Sequence, residues 1–219
     1  MNLPKAILFD FDGTLADTAP DLVEATQAML RSRGLPEAPH ELLRRTCSSG
    51  ARGLLGVAFG VAKDSPQFEP LRQEFLAHYK QCYTRYTKLF DGVPALLNAL
   101  EQRGVVWGIV TNKATDLTTP IVQAILIDQG LTPAAVVCGD TTAHAKPHPA
   151  PLLFACEQIA CAPGDCWYVG DDRRDIQSAQ AAGCTPIAVS YGYHPADDEP
   201  QHWGATAILA QPIGLLDIL

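Results

Sequence analysis

No apolar run in this 219-residue sequence approaches the ~20 residues that a bilayer-spanning helix needs. The first such run, Ala6 to Phe9, is the size of a strand. Met1 to Lys5 lacks the charged start and long apolar stretch of a secretory signal, so a cytoplasmic location is expected. Positive charge is also scarce: 16 basic against 24 acidic side chains leave a net charge of −8. Such a surface repels nucleic acid and anionic lipid, and neither is expected as a partner. No Cys-x-x-Cys pair occurs, and the seven cysteines are odd in number, which gives no disulfide framework. Cys156, Cys161 and Cys166 recur every five residues, a spacing that invites a metal reading but does not match the usual zinc-ligand spacing. Buried thiols in a reducing cytosol account for them more simply. Internal repeats and low-complexity tracts are absent as well.

What is present is an apolar content of 47%, enough to bury a core in one domain or in a domain with an inserted lobe. Short runs at Ala6–Asp10, Val105–Thr111, Ala135–Cys138, Cys166–Gly170 and Thr185–Ser190 are apolar nearly throughout, as in strands covered on both faces. Helical patterns fill the gaps at Val93–Arg103, Asp116–Ile127, Ala150–Ala160 and Arg173–Ala182, with Gly104 and Gly183 placed as stop signals. The alternation predicts an α/β fold, a doubly wound and mostly parallel sheet. From about Thr18 to Arg85 no strand pattern occurs. Ala19–Arg31, His40–Thr46 and Gln67–Arg85 read as amphipathic helices, and an apolar helix follows Gly53. A crossover of this length predicts an α-helical cap over 18–85 inserted into a core of 1–17 and 86–219.

Carboxylates gather where strands end. The first strand runs into Asp10-Phe11-Asp12-Gly13-Thr14, which puts two acids on one side of an extended segment before a glycine that permits a sharp reversal. Turn formation alone could explain that segment. A second strand ends in Gly170-Asp171-Asp172, with Asp175 one helical turn on, where it could also serve the helix dipole. A third ends in Thr111-Asn112-Lys113, and Lys146-Pro147 follows in a loop. Ligands of open α/β sheets bind beyond such strand ends, and clustered acids there need a compensating cation.

In order and spacing, Asp10-Phe11-Asp12-Gly13-Thr14, Thr111-Asn112, Lys146-Pro147 and Gly170-Asp171 with Asp175 resemble the four motifs of the haloacid dehalogenase-like hydrolases, over essentially the whole chain. The resemblance implies a Rossmann-like core with a helical cap and a phosphatase. In it Asp10 attacks phosphorus, and Asp12 protonates the leaving oxygen and then activates water. It further implies Thr111, Asn112 and Lys146 at the phosphoryl oxygens, and Mg2+ held by Asp10, Asp12 through its main-chain carbonyl, Asp171 and Asp175. Asp12 sets the chain apart from the dehalogenases proper, which lack an acid there. Phosphoryl transfer to a second hydroxyl, as in sugar phosphomutases, and a non-catalytic phosphate binder stay open as alternatives.

The expected partner is a small phosphorylated metabolite, and the chain a monomer or homodimer. Ser49-Gly50-Ala51-Arg52, the run Trp107 to Lys113 and the tail Tyr191 to Ala205 resemble members of the family that act on N-acetylmuramic acid 6-phosphate more than those that act on 2-phosphoglycolate. Both compounds carry a carboxylate. Arg52, with Ser49 and Gly50, is therefore a candidate for substrate binding, against the plainer reading of a surface arginine at a helix start. His40, His78, His144 and His148 read as surface or loop residues, because Mg2+ prefers oxygen.

Overall fold

A computed structural model describes residues 3–219. Met1 and Asn2, which begin the expected core segment and the stretch read for a secretory signal, lie outside the described residues. In chain order the elements are β1 (Ala6–Phe9), β2 (Ala16–Asp17), α1 (Ala19–Ser32), α2 (His40–Arg45), α3 (Gly50–Phe59), α4 (Phe68–Lys80), β3 (Lys88–Leu89) and α5 (Val93–Gln102). Then follow β4 (Val106–Val110), α6 (Thr115–Ile125), β5 (Val136–Val137), α7 (Ala150–Gln158), β6 (Cys166–Gly170), α8 (Arg173–Ala182), β7 (Thr185–Val189) and β8 (Ala207–Leu209). Six strands form one parallel sheet in the order β5-β4-β1-β6-β7-β8.

Residue type explains the central strands. All four residues of β1 and all five of β6 are buried, and successive side chains feed opposite faces. Ile7, Phe9, Trp167 and Val169 enter one apolar cluster, and Ala6, Leu8, Cys166 and Tyr168 enter another. Each fully buried Leu, Ile or Phe contributes about 1.5–3 kcal/mol, so the sheet is held from both sides. From β1 the chain winds outward through β4 and β5, then returns to β6 on the other side of β1. The switch point therefore lies at the carboxyl ends of β1, β4 and β6, where Asp10, Thr111 and Asp171 follow.

Helices α1 to α4 all lie between β2 and β3, which pair antiparallel as a short ribbon. Asp21 of α1 ties the far end of this helical segment. Its carboxylate accepts from the amides of Tyr86 and Thr87 at 2.8–3.1 Å, and from the Thr87 hydroxyl at 2.8 Å.

Several boundaries differ from the sequence expectation. The helix expected over Asp116–Ile127 stops at Ile125. Leu126 leaves helical geometry, and a 3-10 turn over Ile127–Gln129 closes on Gly130 at φ 80°. The helix expected over Gln67–Arg85 ends at Lys80 and continues as turns. A sixth core strand, β8, was not expected. Among the described residues no helix is long and apolar enough to cross a membrane.

Candidate active site

Asp10, the residue after β1, is 8% exposed, and its amide donates to Val169 O at 2.8 Å, which fixes it against the end of β6. Lys146 is 5% exposed and reaches in from the loop before α7. Its Nζ lies 2.9 Å from Asp10 Oδ1 and 2.7 Å from Asp175 Oδ1, and it donates to Val110 O at 3.0 Å and Tyr168 Oη at 2.7 Å. Four oxygens share three protons, and Asp10 Oδ1 is left without a well-directed hydrogen bond among the described residues.

Asp171 is fully buried and accepts from Thr14 Oγ1 at 3.0 Å and the Tyr193 amide at 2.8 Å, with Ser48 Oγ 3.2 Å from its Oδ2. Glycines make this approach possible. A Cβ on Gly13 would stand 2.1 Å from Asp171 Oδ2, and one on Gly192 would stand 2.2 Å from Asp171 Cβ. Gly13 also has φ 87°, a conformation that disfavours any side chain. Asp175 serves two ends: its Oδ2 accepts from the Asp172 amide at 3.1 Å in a capping box at the start of α8, while Oδ1 faces Lys146. Helix capping and a place in the acid cluster thus coincide in one side chain.

Carboxylate oxygens of Asp10, Asp171 and Asp175 lie within 4.8 Å of one another. Burial, then the charges of Asp10 and Asp175, pushes the Asp171 carboxyl well above the ordinary range. Burial raises Asp175 to about 7 even though Lys146 pulls the other way, and burial likewise raises Asp10 against the pull of Lys146. For Lys146 itself burial acts downward, but Asp10 and Asp175 outweigh it and lift the ammonium to about 12. One lysine, paired with Asp10 and Asp175, is therefore set against three mutually repelling acids. A small hard cation fits this donor set: the ligands are all oxygen, one of them is orphaned, and the negative charge exceeds its internal compensation.

The Asp12 side chain stands apart from this group. Its Oδ1 accepts from Thr18 Oγ1 at 2.5 Å and lies 2.7 Å from Lys113 Nζ. Burial acts to lower the Lys113 ammonium, but Asp12 and Tyr79 together outweigh it and raise it. Thr111 Oγ1 accepts from the Lys113 amide at 3.2 Å. Asn112 clamps the lysine loop: its amide nitrogen donates to Lys146 O and its oxygen accepts from the Lys146 amide, both at 3.0 Å.

These groups open into a cavity of about 310 Å³ whose walls include Asp10, Asp12, Thr111, Asn112, Lys146 and Asp175 from the sheet end. Ser49 and Gly50 line it from the helical segment. Arg52 does not: it is exposed and outside the lining. Besides Lys146, the cations that do line it are Lys113, Arg174 and Arg72, of which the last two were not picked out in the sequence. Arg174 Nη2 donates to Ser48 O at 2.6 Å, and Ser48 Oγ donates to Tyr193 O at 2.8 Å, so Ser48 joins the helical segment to the acid cluster. Arg174 follows directly on the acidic motif and could have been suspected. Arg72 lies mid-helix in α4 and carries no local signal.

A model of the haloacid dehalogenase-like hydrolase family matches residues 7–189. The chain is 45% identical over 215 residues to the N-acetylmuramic acid 6-phosphate phosphatase of Pseudomonas aeruginosa, covering 98% of this chain and 94% of that one. It is also 45% identical over 212 residues to the phosphoglycolate phosphatase of Xanthomonas campestris pv. campestris, covering 97% and 95% respectively. A crystal structure of a predicted phosphoglycolate phosphatase from Haemophilus somnus superposes over 100% of this chain and 99% of that one, with a TM-score of 0.85 at 28% identity.

Proposed function

This chain belongs to the haloacid dehalogenase-like hydrolases and is a phosphomonoester hydrolase, and on that premise we propose that it dephosphorylates N-acetylmuramic acid 6-phosphate through a phosphorylated Asp10. The observation that carries the catalytic part is the buried convergence of Asp10, Asp171 and Asp175 on Lys146 at the sheet's switch point. A cavity of about 310 Å³ favours a sugar-sized substrate over 2-phosphoglycolate, a compound with two carbons.

Asp10 is held by its backbone bond to β6 and by Lys146, so its carboxylate meets phosphorus with little reorganisation. Asp10 Oδ attacks, the P–O bond to the leaving alcohol breaks, and Asp12 gives that alcohol oxygen its proton. Both polar contacts of Asp12 fall on Oδ1, and Oδ2 is the oxygen that exchanges the proton. Asp12 then takes a proton from water, the water oxygen attacks phosphorus, and the bond to Asp10 breaks. Lys146 and Thr111 steady the phosphoryl oxygens, and Asn112 keeps Lys146 in register. Mg2+ would be held by Asp10, Asp171, the main-chain carbonyl of Asp12 and, through its waters, Asp175; when bound it neutralises charge between nucleophile and phosphate. Residues 18–85 act as the cap that excludes water.

Phosphate release from N-acetylmuramic acid 6-phosphate and 2-phosphoglycolate, measured side by side with Mg2+, tests the reading. A higher kcat/KM on the sugar phosphate is expected. A preference for 2-phosphoglycolate would overturn the substrate, and no release from any of a broad panel of phosphomonoesters would overturn the activity.

A further inference from the structure

The spacing of Cys156, Cys161 and Cys166 reads as that of plain buried thiols, but the fold groups a different three. Cys156 on α7, Cys166 at the start of β6 and Cys184 just before β7 bring their sulfurs within 4.8 Å of one another. All three are buried and free, at 2%, 0% and 5% exposure. Cys161 is half-buried and packs at the edge of the same cluster. The surroundings are apolar, with Ala6, Leu8, Leu152, Ala155 and Ala179 among the neighbours. Contacts from Cys166 and Cys184 draw the Cys156 thiol below its ordinary pKa, while contacts with Cys156 and Cys184, and then burial, push Cys166 up.

We propose that Cys156, Cys166 and Cys184 form a three-thiol site for a trivalent thiophilic metalloid, with arsenic(III) or antimony(III) as its ligand class. Charge decides among soft ions. Three thiolates leave two net negative charges with copper(I) and one with zinc(II). In an apolar cluster each residual charge carries a heavy desolvation penalty. Zinc also calls for a fourth ligand in its structural sites. With a trivalent centre the complex is neutral, and three sulfurs complete its coordination. The exchange balances without a redox step: arsenous acid and three thiols form three As–S bonds, three As–O and three S–H bonds break, and three waters leave. Cys161 at the rim offers a first thiol on the way in.

The test titrates the reduced, full-length protein with sodium arsenite. Native mass spectrometry should show one arsenic per chain with loss of three protons, and X-ray absorption should show three sulfur neighbours. Cys166→Ala and Cys184→Ala should each weaken binding at least tenfold, whereas Cys138→Ala, elsewhere in the core, should leave it unchanged. Absence of binding, a shell of two sulfurs and an oxygen, or undiminished affinity in both cysteine variants would overturn the proposal. So would tighter binding of Zn2+ than of arsenite at the same thiols. If either variant fails to fold, the absorption spectrum of the unaltered protein decides alone.

Discussion

Strand β6 has a buried ionisable cluster at each end. At its carboxyl end Asp171 and Asp175 meet Asp10, and at its amino end Cys166 meets Cys156 and Cys184. The acids are matched by one ammonium, fixed by Asn112 and Tyr168, and when ionised they carry surplus negative charge. The thiols are set in apolar surroundings. Both clusters are equally buried, so burial alone does not mark a reaction centre. What distinguishes them is uncompensated charge at the end where the chain changes winding direction and a cavity opens.

The sharpest way to break this contrast is Asp10→Asn. The change is nearly isosteric, so far-ultraviolet circular dichroism should stay the same. Phosphate release should fall by roughly 10⁴-fold or more, as when a nucleophile is removed. Turnover that survives would mean that the acid cluster is structural, like its sulfur counterpart.

Lys146→Met comes next. It removes the single cation among the buried acids and leaves Asp10 and Asp175 uncompensated. Breaking a buried pair in this way costs about 3–5 kcal/mol, so chemical denaturation should show a loss of that size. The rate should drop as well, by about 10²–10³-fold, since a fixed charge at the phosphoryl oxygens is gone. A stability loss without a rate loss would reduce Lys146 to a counter-ion.

Divalent cation should act on one end only. If the acids hold Mg2+, chelation abolishes turnover, and Mg2+ at about 100 times its Kd should stabilise the protein by about 2.7 kcal/mol. The rise in Tm on adding Mg2+ checks this, and Asp171→Asn should remove it. An equal rise in Asp171→Asn would move the ion elsewhere.

The acid end was largely readable in the sequence because its parts sit in order at strand ends, and strands such as β1 and β6 are apolar throughout. The shorter elements were not readable. β8 is three residues long with Ile208 exposed, and β2 and β3 are two residues each, too short for any period to show. Arg52 was expected beside Ser49 and Gly50 as a partner for a substrate carboxylate. On α3, however, each residue turns about 100° from the last, so Ala51 lines the cavity while Arg52 points outward. Ser48 and Arg174 meet across 126 positions, and Cys184 replaces Cys161 in the thiol group. Such pairings depend on how elements dock, which no local pattern encodes.

The smallest expected effect sharpens the sulfur end. If the thiols pack as apolar groups when no ligand is bound, Cys166→Ala should cost about 1 kcal/mol, as for loss of one buried group with a small cavity. Cys166→Ser nearly conserves volume but buries a hydroxyl among apolar neighbours, and it should cost more, about 1–3 kcal/mol. Urea denaturation of the two variants gives the order. Serine at least as stable as alanine would show that this end of β6 accepts a polar group. The contrast between the two ends would then rest on the charge of the acids and the cavity beside them, and not on polarity.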